Sequence, residues 1–155
     1  MNNLLTLLLT NTYSLHQLKH RLATLKSYLD QQFFGGNIAI AAKDLDWIKT
    51  LPTASLNLNK DNLTTIFEEA QNQINNLSIL TLYLTFEPDE QTITQIGEFA
   101  RKTFGGTILL DIKFDPNLIA GAALAWKGSY KDYSLRAKIQ ERKGEVLESF
   151  KKFLR

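Results

Sequence analysis

Apolar residues in the first half of the chain recur at spacings of three and four, which is the period of an amphipathic helix. The longest such segment begins after Ser14, a residue type that favours a helix N-cap, and ends at Gly35, a typical C-terminal stop. Shorter helices are predicted at residues 43–50 and from Asn59 or Asp61 onward. The apolar stripe of the long helix consists of Leu15, Leu18, Leu22, Leu25, Leu29 and Phe33.

The leucine-rich start of the chain is predicted to form a buried helix. A secretory signal would need a positive flank before the apolar run and a small-residue cleavage site after it. Instead Asn2 and Asn3 precede the run, and Thr-Asn-Thr follows it at residues 10–12. The run is also far shorter than the ~20 apolar residues that a membrane span requires. We therefore expect no direct membrane insertion and a location in the cytosol or on a cytosolic membrane face.

Around Leu77 the apolar pattern changes from the helical period to alternation, which is typical of half-buried strands. Pro88 is then followed by two acidic residues, a favourable start for a helix. A hairpin turn is predicted at residues 127–129. The predicted elements are a strand, a helix, two strands, a short return strand and a final helix: residues 78–86, 88–104, 107–114, 121–127, 130–132 and from 134 onward.

The same patterns predict which side chains of the second half face a core. The helix after Pro88 should present one apolar face, and the strand that follows it should alternate inward and outward residues. Gly144 could interrupt the final helix, because glycine costs about 1 kcal/mol there relative to alanine. The expected inward residues of the helix and the strand are Ile93, Ile96, Phe99, Ala100 and Phe104, then Ile108, Leu110 and Ile112.

These patterns predict an α+β fold: an N-terminal helical bundle followed by a small strand–helix–strand–strand–helix domain. We place the domain boundary where the period changes, giving a helical domain at residues 1–76 and an α/β domain at 77–155. No repeat, low-complexity tract or long linker interrupts either part.

Composition narrows the classes of function. A chain of 155 residues with 44% hydrophobic content can bury a core, and a net charge of +2 does not favour nucleic acid or anionic lipid. The absence of cysteine excludes disulfides and thiolate chemistry. Charge is unevenly placed, however: residues 61–100 carry seven acids and no Lys or Arg, whereas residues 127–155 carry nine bases and four acids. The two segments could be solvated faces or could meet partners of opposite charge.

Catalytic and ligand-binding motifs are weak. His16 and His20 share a helix face, but the glutamate of the zinc-protease helix motif is missing and Lys19 opposes a cation. The glycine pairs at 35–36 and 105–106 match no phosphate-binding pattern and are explained by helix ends. We therefore expect no catalytic residue, no metal and no cofactor.

One segment is far more specific. Residues 114–139 resemble the C-terminal signature of the F-type ATP synthase delta family, whose mitochondrial relative is the oligomycin-sensitivity subunit. The family pattern runs Asp-Pro-Ser-Leu-Ile-Gly-Gly, an apolar strand, a turn, and then Asp-Gly-Ser-Val-Arg-Gly-Lys-Leu. The matching residues, here called the family motif, are Asp115, Pro116, Leu118, Ile119, Gly121, Asp132, Ser134, Arg136 and Lys138.

The sequence departs from this pattern at two positions. Ala120 stands where the family has its first glycine, and Tyr133 stands between the motif's second aspartate and its serine. A tyrosine disfavours the left-handed backbone that glycine allows, so a different local turn is expected.

The residue types of the motif predict turns, a helix cap and core packing. Asp115 and Pro116 favour a turn. The next two apolar residues, Leu118 and Ile119, should enter the core, and Gly121 should let the following strand pass closely. The last helix should be capped by Asp132 or Ser134.

The resemblance implies a non-catalytic stator subunit that links the alpha and beta subunits of the catalytic head to the b subunits during proton-driven ATP synthesis. It also implies that the helical domain, residues 1–76, binds the head as a shortened bundle and that the α/β domain, residues 77–155, binds the b subunits. Its partners would be other subunits at the cytoplasmic face of the cell inner membrane, with no nucleic acid and no homo-oligomer in the complex. A docking surface for b helices, here called the C-terminal stripe, is expected at Val146, Leu147, Phe150, Phe153 and Leu154.

Two alternatives remain open from the sequence. One is an E-type peripheral-stalk subunit of an archaeal or vacuolar ATPase, or a related export-apparatus stator, although such proteins usually begin with a long charged coiled coil. The other is an unrelated small α+β enzyme or ligand-binding domain.

Overall fold

Four helices form the first half of the chain in the computed structural model, which describes residues 3–37, 39–52 and 57–154. Ser14 caps the long second helix, as its oxygen accepts a hydrogen bond from the amide of Gln17 at 3.1 Å. Asn59 and Asn62 each accept a bond from the other's amide, which opens the fourth helix much as a capping box does. The helices are α1 (Asn3–Leu9), α2 (Leu15–Phe34), α3 (Ala42–Thr50) and α4 (Leu63–Ile74).

The second half is built on a four-stranded sheet with strand order β2-β1-β3-β4. The parallel strands β1 and β2 are joined by the crossover helix α5, and the other pairs are antiparallel. Lys127 and Gly128, both with positive φ, form the two-residue turn between the last two strands. The elements are β1 (Ile79–Leu84), α5 (Glu90–Phe104), β2 (Leu109–Phe114), a 3₁₀ turn (Pro116–Leu118), β3 (Ala122–Trp126), β4 (Ser129–Asp132), α6 (Leu135–Glu141) and α7 (Lys143–Phe153).

The architecture confirms the predicted α+β class, with helices first and a mixed sheet after them. The long helix buries four leucines of its predicted stripe, and β1 buries alternate residues as expected. The division into domains 1–76 and 77–155 stays a prediction.

Strand β2 differs from its predicted one-sided pattern, because both Leu109 and Leu110 are fully buried. Leu110 packs with α5 on one face of the sheet, whereas Leu109 belongs to the core formed by the N-terminal helices. The prediction of alternation is therefore wrong at the start of this strand. The reason is that helices pack on both faces of the sheet at this point. Neighbouring residues that point to opposite faces are therefore both buried.

Helix α5 also buries less than predicted. Ile93 and Ile96 pack on the sheet and Ala100 is buried, but Phe99 is 68% exposed. Steps of 100° per residue place Phe99 well away from the stripe formed by the other three, so its assignment to the apolar face is wrong. Phe104 is 44% exposed, and its ring lies 5.6 Å from that of Trp126.

The segment between α1 and α2 runs along the outer edge of the sheet. Ser14 pairs in parallel with Leu110, and the amide of Leu110 donates to the carbonyl of Tyr13 at 2.8 Å. Gly97 lies directly opposite, because a Cβ there would approach the Cβ of Tyr13 to 2.5 Å. The N-terminal helices therefore meet the sheet through close backbone contact.

Candidate partner-binding site

The first part of the family motif is a tight turn at the end of β2. The carboxylate of Asp115 accepts a hydrogen bond from the amide of Asn117 at 3.0 Å, and Pro116 begins the 3₁₀ turn. Leu118 is fully buried, as expected. These residues thus turn the chain and anchor it to the core.

Ile119 does not enter the core as predicted. Its backbone has φ 67° and ψ −55°, and the amide of Ala120 donates to the carbonyl of Leu118 at 2.8 Å, which closes a γ-turn. The turn reverses the chain after Leu118, so the side chain of Ile119 is 60% exposed. A β-branched residue with positive φ is a backbone outlier that costs about 1–3 kcal/mol.

Gly121 allows the close passage that the sequence indicates. Its φ is 89°, and a Cβ at this position would lie 2.9 Å from the carbonyl oxygen of Tyr133. The neighbouring Ala120 accepts a bond from the amide of Leu135 at 2.8 Å. The start of β3 is therefore held against the start of α6, which brings the two parts of the motif together.

The second part of the motif caps α6. Ser134 is fully buried, and its hydroxyl accepts a hydrogen bond from the amide of Ala137 at 3.2 Å. Asp132 accepts from the amide of Ser134 at 2.8 Å and from the guanidinium of Arg136 at 3.1 Å. The prediction that one of the two would cap the helix is confirmed for Ser134, with Asp132 supporting it.

The hydrogen bonds of this cap stabilise the charged forms of Asp132 and Arg136. The hydroxyl and the amide of Ser134 lower the pKa of Asp132 below its ordinary value, and Arg136 lowers it further. The bond to Asp132 chiefly raises the pKa of Arg136, with smaller contributions from Tyr130 and Asp115. These groups are engaged in caps and an ion pair, an arrangement suited to holding a turn.

The last residue of the family motif, Lys138, and the departure at Tyr133 are both exposed. Lys138 faces solvent on α6. Tyr133, which replaces a family glycine, does not adopt the left-handed backbone, and its amide donates to the carbonyl of Ala122 at 3.0 Å. This hydrogen bond continues the pairing of β3 and β4 by one residue.

The C-terminal stripe lies on α7. All residues of this helix are described, and none is buried. Phe150 is 64% exposed, Phe153 93% and Leu154, just past the helix, 86%. Leu147 is exposed as well, and Val146 is partly buried. The stripe therefore forms a largely exposed apolar face.

The final helix is interrupted, but at Arg142 rather than at Gly144. Arg142 has φ −106° and ψ 25° and separates α6 from α7, whereas Gly144 lies within α7. The expected break is present two residues earlier than predicted.

The two histidines of α2 are the weaker chemical candidates from the sequence. His20 lies 3.2 Å from a carboxylate oxygen of Asp44, and His16 is exposed on the same helix. Within residues 3–37, 39–52 and 57–154, no group of three or more His, Cys, Asp or Glu side chains is placed to hold a metal ion. Of the helices in these ranges, none is both long and apolar enough to cross a bilayer.

Comparison with known proteins agrees with the motif. No curated protein matches the chain closely enough to be named as a relative. Residues 60–146 match the family model for the ATP synthase delta (OSCP) subunit. The match covers more than half of the chain and includes the whole family motif, α6 and the first residue of the C-terminal stripe. This chain therefore belongs to the ATP synthase delta (OSCP) subunit family, whose members are non-catalytic subunits of the enzyme's peripheral stalk.

Proposed function

We propose that this protein is the stator subunit that links the alpha and beta subunits of an F-type ATP synthase head to its b subunits. A rotary enzyme needs such a link, because torque on a freely turning head would not drive synthesis. The protein would act during proton-driven synthesis as a peripheral protein on the cytoplasmic face of the inner membrane. The task calls for binding surfaces rather than reactive groups.

The observation that carries the proposal is the exposed C-terminal stripe. Large apolar side chains on one face of an unpacked helix are typical of a protein interface. Burying a side chain such as Phe150, Phe153 or Leu154 contributes about 1.5–3 kcal/mol. Three such residues, with Val146 and Leu147 beside them, could supply the central contacts of a helix-in-groove interface.

The chemistry of the stripe suits the b subunits, which are long helices in this family. Helix pairs bury apolar residues spaced by three and four, and the stripe has that spacing. Arg142, Lys143 and Lys151 lie beside it, with Glu145 as the acidic residue at its edge, so its surroundings carry a net positive charge. We therefore expect the partner helix to carry acidic residues beside its apolar face.

The link to the head is proposed for the N-terminal helical part of the chain, residues 1–76. Residues 61–100 are acidic, so they would meet a surface different from the one that meets the basic C-terminal segment. The first 59 residues precede the family match, and their contact with the alpha subunits rests on membership of the family. A truncation after Gln140 would then remove binding to b while retaining binding to the head.

The proposal is tested by calorimetry with the soluble helical part of the b subunit from the same genome. Full-length protein should bind it, and the double variant Phe150→Gln, Phe153→Gln should lose at least about tenfold in affinity. Thermal unfolding should not change, because these side chains are exposed in the free protein.

A matched control is available on the opposite face of α7. Glu148 and Lys152 are four residues apart there, and the double variant Glu148→Gln, Lys152→Gln leaves the net charge and the stripe unchanged. It should bind with nearly normal affinity. Absence of binding by the unmodified protein, or equal binding by the Phe150 and Phe153 variant, would reject the proposal.

A further inference from the structure

Ile119, near the C-terminal helices, has an exposed side chain and a strained backbone, a combination typical of a binding residue. Strained backbone persists only where the surrounding structure enforces it, and it concentrates at functional positions. Ile119 combines this strain with an isoleucine side chain that is 60% exposed. Burial of this side chain in the free protein therefore does little to offset the free-energy cost of its strained backbone.

The surroundings enforce the conformation from both sides. The amide of Ile119 donates to the carbonyl of Pro116 at 3.2 Å, and the next amide closes the γ-turn onto the buried Leu118. On the other side, Ala120 is bonded to Leu135 and Gly121 is pressed against Tyr133. Ile119 thus projects from a rigid base formed by the family motif.

The backbone at Ile119 lies beside α6, a helix that carries further exposed apolar residues. Its neighbour Ala120 bonds to the first residue of α6, so Ile119 lies at the N-terminal end of that helix. Leu135 and Ile139 are both exposed and are four residues apart, which places them on one side of α6. Helix α6 in turn leads through Arg142 to the C-terminal stripe.

We propose that Ile119 is a contact residue for the b subunit, inserting into the apolar face of the same helix that the C-terminal stripe binds. The inference rests on the proposed function and extends its interface from α7 across α6 to the γ-turn. The exposed charged residues along α6 and the neighbouring strand β4 are Lys131, Lys138 and Arg142 against Glu141, so bases exceed acids there. The contact therefore requires a helix with acidic residues flanking an apolar face.

Charge argues against a second copy of this chain as the occupant. Residues 127–155 carry nine bases and four acids, so apposing two of these surfaces would bring like charges together. A partner helix with acidic residues beside its apolar face would not be repelled in this way.

The decisive variant is Ile119→Gly, because stability and binding should respond in opposite directions. Glycine adopts positive φ without steric cost, so the midpoint of thermal unfolding should be unchanged or higher. Affinity for the soluble helical part of the b subunit should fall about tenfold. A purely structural residue would not produce this pair of results.

The control removes an exposed apolar side chain elsewhere. Phe99→Gln on α5 deletes a ring of similar exposure outside the proposed surface and should leave affinity within twofold. Normal binding by Ile119→Gly, alongside lost binding by the Phe150 and Phe153 variant, would overturn this inference while leaving the proposed function intact.

Other results would also overturn it. A large drop in the unfolding midpoint of Ile119→Gly would assign the residue a role in folding. Concentration-dependent dimers that disappear in this variant would assign the surface to self-association. Failure of the unmodified protein to bind b would remove the proposed function and this contact together.

Discussion

The guanidinium carbon of Arg101 lies 4.4 Å from the centroid of the Tyr13 ring, in a cation–π stack between α5 and the segment that joins α1 to α2. The same guanidinium donates to the carbonyls of Leu9 at 3.1 Å and Thr12 at 2.7 Å, and its Nε donates to Ile108 at 3.4 Å. Burial lowers the pKa of Arg101, and the nearby Tyr13 opposes that shift. One side chain thus ties the N-terminal helices to the sheet.

Replacing Arg101 with lysine should destabilise the protein. Lysine keeps the charge but has no planar fork, so it cannot serve all three carbonyls and stack on Tyr13 at once. We expect a loss of about 1–3 kcal/mol in the free energy of unfolding, measured by urea denaturation. Lys102→Arg, at the next position, is the control and should change stability by less than about 0.5 kcal/mol. Equal stability of both variants would contradict the role given to Arg101.

Gly97→Ala should also destabilise the protein, although alanine is the better helix former by about 1 kcal/mol. The new Cβ would lie 2.5 Å from the Cβ of Tyr13, and such overpacking typically costs about 1–3 kcal/mol. In a Tyr13→Gly background the clash is absent, and the same substitution should become stabilising. A double-mutant cycle by urea denaturation measures this reversal of sign. If Gly97→Ala stabilises both backgrounds, the close contact is not present in solution.

Acid should weaken the cap of α6 through Asp132. Its pKa is lowered in the folded state, so its contribution to stability is present above the unfolded pKa of about 4 and is lost as pH falls through the folded pKa. Asp132→Asn should therefore lower the unfolding temperature at pH 7 and flatten its decline below pH 4. The measurement is a series of thermal melts between pH 7 and pH 2.

Arg136→Gln provides the comparison for that experiment. It retains the bonds from Ser134, which contribute most to the lowered pKa of Asp132. Most of the acid dependence should then survive. A flat profile in Arg136→Gln, equal to that of Asp132→Asn, would instead assign the effect to the ion pair.

Local signals in the sequence predicted local structure well. The caps at Ser14 and Ser134, the turn at Asp115 and the close passage at Gly121 depend on residues within a few positions, so residue type and spacing suffice. The family itself followed from the motif. The fold class followed from the change of period near Leu77.

Features that depend on distant residues were missed. Leu109 is buried on the second face of the sheet by the N-terminal helices. The contact of Gly97 with Tyr13 and the bonds of Arg101 to Leu9 and Thr12 join residues 84–92 positions apart. Periodicity within one element carries no information about such contacts. The prediction for Ile119 is wrong because an apolar residue type does not reveal the γ-turn that follows the buried Leu118.

The single-residue junction at Arg142 has a mechanical consequence. Because α7 buries none of its described residues, a load applied along it would pass into the sheet through α6 and the turn beneath it. Bending would occur mainly at Arg142. The sheet and the N-terminal helices, which Arg101 holds together, would deform little. The molecule would then act as a stiff block carrying a short elastic arm.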